Sequence, residues 1–187
     1  FYCFPGFFAK EAARQIVAFH KLGVQGIFHC GFNGEVENYV TYKLMDDPTL
    51  DVERLLDTYF SAYGAAAGTL RAWYDLAESR FMDPNLMPKG PDGKPYSGHQ
   101  TVGIAWGHLG NAETMEKLEA LLATARKQAG GPAARRLALW ELGTWDYMRA
   151  GRATYVERMK APIPSVTAPR VPAEQGDPAK ADWARAG

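Results

Sequence analysis

The stretch from Gly23 to Pro48 constrains the fold more than any other part of this chain of 187 residues. It begins with a short apolar run at Val24–Cys30, continues through a glycine-rich turn at Gly31–Gly34, and becomes an amphipathic segment near Glu35. The apolar run lacks a clean polar alternation, which is typical of a parallel strand covered on both faces. We therefore predict a buried strand, a tight loop and a helix, in that order.

The residues before this stretch show the same order of elements. Phe1–Phe4 is predicted to end a strand, because Pro5-Gly6 breaks it, and Ala9–Leu22 has the apolar spacing of a helix. Strand, helix, strand and helix in succession are typical of a parallel sheet with right-handed crossovers. The two strands, Phe1–Phe4 and Val24–Cys30, are then adjacent and parallel. The side chains expected to be neighbours on one rim of this sheet are Tyr2, Phe4, His29 and Phe32.

From Asp51 onward the apolar spacing is helical. Asp51 and Asn111 are predicted to cap helices, because their side chains can accept from free N–H groups at a helix start. The proline-rich stretch Met82–Gln100 is predicted to be a loop. The short connection Gly130-Gly131 predicts that the helices on either side of it pair antiparallel. One helix is predicted after Asp51 and another after Asn111. Three more are predicted at Ala66–Arg80, Thr101–Leu109 and Pro132–Met159.

Composition argues against several classes of function. Lys and Arg number 21, as do Asp and Glu, so neither nucleic acid nor an anionic membrane is expected as the main partner. No apolar run approaches the ~20 residues of a membrane span. The four histidines and the two cysteines, Cys3 and Cys30, show no metal-ligand spacing. No nucleotide-binding or nucleophile motif occurs, and we expect no metal and no cofactor.

The end of the second predicted strand holds the candidate ligand contacts. His29 either hydrogen-bonds a backbone carbonyl or contacts a ligand, and a histidine there can also act as acid or base. Asn33 and Phe32 add an amide and a ring, which suit the hydroxyls and the apolar face of a sugar. Cys30 is interpreted as a small buried hydrophobe rather than a nucleophile. The loop from His29 to Asn38 is therefore predicted to meet a carbohydrate.

Glu35 and Glu37 do not form a catalytic pair by their spacing. Residues two apart on a helix do not face each other, whereas the paired carboxylates of a glycosidase flank one bond. Each is either a first-turn glutamate favoured by the helix dipole or a single contact to a sugar hydroxyl. Aromatic residues at helical spacing are assigned to the core rather than to a stacking platform. These are Tyr59, Phe60, Tyr63, Trp73 and Tyr74.

The run from Glu37 to Gly64 resembles the segment after the last barrel strand in bacterial α-glucuronidases and in a related, uncharacterised domain family. Lys21–Gly31 looks like the helix end and final strand of that barrel, and Asn111–Met159 is similar in layout to the helical region that follows it. The positions that carry the resemblance within the first run are Asn38, Tyr39, Leu44, Asp47-Pro48 and Asp51–Tyr63.

The resemblance implies an α/β chain: the last strands and helices of a (β/α)8 barrel, followed by a mainly α-helical domain, with most of the chain helical. Residues 1–50 would be the barrel portion, 51–160 the helical domain with a loop at 82–100, and 161–187 an extended, proline-rich linker. The chain starts without methionine inside an apolar run. We expect an internal piece, lacking an N-terminal barrel portion and followed by a further domain.

The expected function is that of a glycoside-hydrolase-like protein acting on polysaccharide or oligosaccharide, with its catalytic acids outside this chain and an extracellular or periplasmic location. The alternative is a non-catalytic carbohydrate-binding or scaffold protein with a degenerate barrel. A helical protein-interaction domain with a small α/β cap is a third possibility. The expected substrate-binding residues are Tyr2, Phe4, His29, Phe32, Asn33 and Glu35, with no catalytic residue among them.

Overall fold

The computed structural model describes residues 2–28, 34–89, 93–94 and 99–160, and within these the chain is helical almost throughout. The longer helices are α1 (Ala9–Lys21), α2 (Glu35–Asp46), α3 (Val52–Ser61), α4 (Ala67–Met82), α5 (Ala112–Gln128), α6 (Gly131–Trp140) and α7 (Asp146–Lys160). The shorter elements are two π-helical segments, Ile104–Leu109 and Glu141–Trp145, and the 3₁₀ turns Gly64–Ala66 and Pro84–Leu86.

Local signals in the sequence set the helix ends. Asp51 accepts a hydrogen bond from the Arg54 N–H at 2.9 Å before α3, and Asn111 accepts one from the Thr114 N–H at 2.9 Å before α5. Gly23 has a φ of +80° after α1, a conformation that glycine adopts without steric cost. The predicted helices are confirmed. The last of them continues from α6 through the second π segment into α7.

Helix α4 lies at the centre of the core, with α3 and α5 packed against it. Its Trp73 is fully buried and meets the rings of Trp140 and Trp145 edge-on, with centroids 4.6 and 6.1 Å apart. Phe7 packs on the same indole with a centroid distance of 5.6 Å. Edge-to-face geometry is favourable for aromatic pairs. A single buried cluster therefore joins residues on both sides of position 50.

The apolar face of α5 is buried as predicted, since Leu118 and Leu122 are fully buried and Trp140 nearly so. The backbone of α5 lies closest to α4, however, rather than to the helix that follows it. Contact with that following helix is made by side chains, as in the hydrogen bond from Arg126 Nε to Glu141 Oε1 at 3.1 Å. The main partner of α5 is thus α4.

The predicted parallel sheet is wrong. Residues 2–4 and 24–28 form no strand, so the described chain belongs to a mainly α class, and no (β/α)8 barrel portion is seen in it. The physical reason is burial: Phe28 is 90% exposed and Val24 is 43% exposed, whereas a central strand is covered on both faces. Residues 1 and 29–30 of the predicted strands, most of the turn Gly31–Gly34, parts of the 82–100 loop and the whole 161–187 linker lie outside the described residues.

None of the described helices is both long enough and apolar enough to cross a membrane.

Candidate functional site

An aromatic cleft opens where α2, α3 and α6 meet. Its volume is about 470 Å³, within the range of ~300–1,000 Å³ found for small-molecule sites. The three helices contribute aromatic and charged side chains that are distant in sequence. The main lining residues are Glu35, Tyr39, Tyr59, Tyr63, Arg136, Leu139 and Trp140.

Tyr59 holds the carboxylate of Glu35 at one side of the cleft. The Tyr59 hydroxyl donates to Glu35 Oε2 at 3.0 Å, and Glu35 is the first residue of α2, where the helix dipole favours a negative charge. The rings of Tyr39 and Tyr63 lie 5.5 and 6.2 Å from that of Tyr59. Burial raises the pKa of both Tyr59 and Tyr63, so both stay neutral hydroxyls at physiological pH.

Arg136 brings a positive charge to the same cleft. Its Nη1 donates to the Ala62 carbonyl at 2.9 Å, which holds the guanidinium near the end of α3. Within the part of the chain that the structure describes, Arg136 makes no ion pair. Its remaining N–H groups are therefore available to a ligand. With Glu35 and Arg136 both present, the cleft is close to neutral and has donors and acceptors around aromatic rings.

Glu37 lies in a different environment although it is two residues from Glu35. Its side chain is buried, and Oε1 accepts from the Phe8 N–H at 3.2 Å and from the Tyr74 hydroxyl. Burial raises the pKa of Glu37, and the hydrogen bond from Tyr74 opposes that rise. The prediction that the two carboxylates do not face each other is confirmed. They cannot flank one glycosidic bond.

The buried network around Glu37 caps helix α1. Tyr74 accepts from the Ala9 N–H at 3.2 Å, and Glu78 Oε1 accepts from the Lys10 N–H at 2.9 Å. The first N–H groups of a helix have no partner within that helix, and they are costly to bury unsatisfied. Side chains of α2 and α4 supply those partners here. These polar groups therefore join three helices and are used within the fold.

The predicted substrate-binding residues are not brought together in the described structure. Glu35 lies in the cleft, as described. Phe4 is in the core, 5.9 Å from the ring of Trp106, while Tyr2 packs against Tyr147 at 5.0 Å. The remaining three, His29, Phe32 and Asn33, lie outside the described residues.

Several cleft residues could not be found by sequence reasoning. Phe60, Trp73 and Tyr74 are buried, as the helical spacing predicted. Tyr59 and Tyr63, assigned to the core by the same argument, pack against it and also line the cleft. Helix α6 contributes Arg136, Leu139 and Trp140, and no spacing in the sequence relates that helix to α2. Glu35 was the one cleft residue predicted to bind a ligand, as a first-turn glutamate that could contact a sugar hydroxyl.

Comparisons with known proteins give no assignment for this chain. No protein-family model, no curated protein and no solved structure matches it. In the described ranges, no group of three or more His, Cys, Asp and Glu side chains is arranged to hold a metal ion.

Proposed function

We propose that this protein binds carbohydrate in the cleft between α2, α3 and α6. The observation that carries the proposal is the Tyr59–Glu35 hydrogen bond beside the Tyr39 ring, with Arg136 in the same cleft. A sugar ring presents hydroxyl groups around its edge and a less polar face. Fixed carboxylate and guanidinium groups suit the hydroxyls, and tyrosine rings suit the face.

The role proposed for this cleft is binding rather than bond cleavage. Hydrolysis by the usual pair of carboxylates needs two acids placed on opposite sides of one bond. Glu35 faces the cleft, whereas Glu37 is directed to the Phe8 N–H and the Tyr74 hydroxyl. On the resemblance alone, we also propose that this is a carbohydrate-active, glycoside-hydrolase-like protein. The cleft would then hold the polysaccharide while acids outside this chain act on it.

Titration calorimetry with a panel of neutral oligosaccharides tests the proposal. Glu35→Gln keeps the side-chain shape and removes the charge, and Tyr59→Phe keeps the ring and removes the hydroxyl. Each hydrogen bond contributes ~0.5–1.5 kcal/mol, so each variant should bind about 2- to 10-fold more weakly. Tyr39→Ala should weaken binding by a similar factor, because it removes a ring face.

Glu157→Gln on α7 is the matched control. Glu157 is exposed and pairs with Lys160 at 2.7 Å, and it does not line the cleft. We expect wild-type affinity for this variant. If none of the sugars in the panel binds saturably, the proposal is refuted. It is also refuted if the cleft variants bind as tightly as Glu157→Gln.

A further inference from the structure

A second cleft lies between α5 and α7. Its volume is about 340 Å³, which is also within the ~300–1,000 Å³ of small-molecule sites. Helix α5 packs mainly on α4, and α7 packs mainly on the second π segment, so the space between α5 and α7 is left open. The main lining residues of this α5/α7 cleft are Met115, Glu116, Glu119, Trp145, Arg149 and Arg152.

Helix α5 contributes two carboxylates to the α5/α7 cleft. Glu116 is exposed, and its carboxylate makes no hydrogen bond or ion pair within the described parts of the chain. Glu119 Oε1 pairs with Arg126 Nη1 at 2.6 Å, and Arg126 does not line the cleft. An ionised carboxylate only accepts hydrogen bonds. Glu116 is therefore available to a ligand that carries an ammonium group.

Helix α7 contributes two guanidinium groups to the same cleft. Arg152 is held in place, because its Nη1 donates to the Trp106 carbonyl and its guanidinium carbon lies 5.3 Å from the centre of the Tyr155 ring. Arg149 Nη1 donates to Asp146 Oδ1 at 3.4 Å. Each guanidinium has five N–H groups, more than these bonds use. The remaining ones suit the carboxylate of a ligand, which arginine binds in a fixed geometry.

The opposite charges of α5 and α7 do not neutralise each other across the cleft. In the described ranges, neither arginine of the cleft forms an ion pair with either glutamate. The apolar part of the lining is formed by Met115 and Trp145, which are 8% and 2% exposed. The Trp145 indole N–H has no hydrogen-bond partner in the part of the chain that the structure describes, and few buried polar atoms of a folded protein lack one. The cleft thus combines separated acid and base, an apolar wall and a donor that the fold leaves unused.

We propose that the α5/α7 cleft binds a small zwitterion with an apolar body, namely a free amino acid with an apolar side chain. Its carboxylate pairs with the guanidinium groups of α7, its ammonium group pairs with Glu116, and its side chain packs on Met115 and Trp145. A ligand with only one charge leaves the charged groups of one helix without a partner. No residue lines both this cleft and the carbohydrate cleft, so either proposal can fail without the other.

Titration calorimetry with related ligands tests the proposal. Phenylalanine carries both charges and a ring, phenethylamine lacks the carboxylate, and phenylpropionate lacks the ammonium group. We expect phenylalanine to bind saturably and each analogue to bind at least about tenfold more weakly, because each loses a charge-assisted contact. Glycine, which keeps both charges without a ring, should also bind more weakly. The proposal is overturned if phenylalanine, leucine and methionine all fail to bind saturably, or if a single-charge analogue binds as tightly as phenylalanine.

Variants that remove one charge locate the binding. Glu116→Gln and Arg149→Gln should each weaken phenylalanine binding by about tenfold. Glu116→Gln should leave phenylpropionate binding unchanged, because that ligand has no ammonium group, and Arg149→Gln should likewise leave phenethylamine binding unchanged. The matched controls are Glu157→Gln and Arg135→Gln, whose side chains are exposed and do not line the cleft, and both should bind phenylalanine like the wild type. Cleft variants that bind phenylalanine as tightly as these controls overturn the proposal.

Discussion

Residues 2–4 and residues 24–28 are both short, mainly apolar and non-helical, yet their surroundings are opposite. Phe4 is 1% exposed and packs against Phe7 and Trp106, whereas Phe28 is 90% exposed. Similar composition therefore gives a buried segment in one place and a surface segment in the other. What differs is whether the backbone N–H and C=O groups of the segment find hydrogen-bond partners.

Side chains of the helical region satisfy the backbone of residues 2–4. The Trp106 indole donates to the Tyr2 carbonyl at 2.8 Å. The Gln100 amide accepts from the Phe4 N–H at 2.9 Å and donates to the Phe4 carbonyl at 3.0 Å. This pair of bonds is what a neighbouring strand would provide. A buried extended segment thus needs partners for its N–H and C=O groups, and a sheet is one of several ways to supply them.

The same substitution in the two segments should show the largest difference. Phe4→Ala removes a buried ring from the core and is expected to lower the free energy of unfolding by about 3–5 kcal/mol. Phe28→Ala removes an exposed ring and should change it by at most about 0.5 kcal/mol. Urea unfolding at low protein concentration measures both. Similar losses for the two variants would show that Phe28 is covered in solution.

The helices were predictable because their signals are local. The Asp51 and Asn111 caps and the Gly23 stop each act within a few residues, and the apolar spacing between them is that of a helix. The exposed position of residues 24–28 was not predictable in this way, because burial on two faces depends on what the rest of the fold places there. A short apolar run is equally compatible with a buried strand and with an exposed, irregular segment.

The site was predictable to a smaller extent than the fold. Glu35 was predicted either to contact a sugar hydroxyl or to be a first-turn glutamate favoured by the helix dipole, and its side chain lines the cleft. Its opposite charge, Arg136, is supplied by α6, and only the packing of α2, α3 and α6 brings the two into one cleft. Contacts between helices distant in sequence leave no spacing pattern from which they could be inferred.

Two glycines on the last helical stretch provide the next test of how residues 2–4 are held. A Cβ on Gly151 would lie 2.6 Å from Trp106 Cε2 and 2.9 Å from Tyr2 Cβ, whereas a Cβ on Gly143 meets nothing within 4 Å. Gly151→Ala should therefore push the Trp106 indole away from Tyr2 and cost about 1–3 kcal/mol of stability.

Gly143→Ala is the matched control, and it should be neutral or stabilising by up to about 1 kcal/mol, because alanine favours a helix over glycine. Thermal melts of both variants, together with tryptophan fluorescence, compare them. If Gly151→Ala melts at or above the temperature of Gly143→Ala, the segment 2–4 is not packed on Trp106 as described.

The smallest expected effect concerns the two glutamines beside the segments. Gln100→Leu keeps the side-chain size but leaves the Phe4 N–H and C=O without their partner, so we expect a loss of about 1–2 kcal/mol. Gln25 donates to the Gly23 carbonyl on the surface at 3.0 Å, and Gln25→Leu should change stability by at most about 0.5 kcal/mol.

Hydrogen exchange adds a readout that stability alone does not give. The Phe4 amide should exchange faster in Gln100→Leu and at the wild-type rate in Gln25→Leu, because only the first loses its acceptor. An unchanged Phe4 exchange rate in Gln100→Leu would mean that another group pairs with this backbone, and the contrast between the two segments would then rest on packing alone.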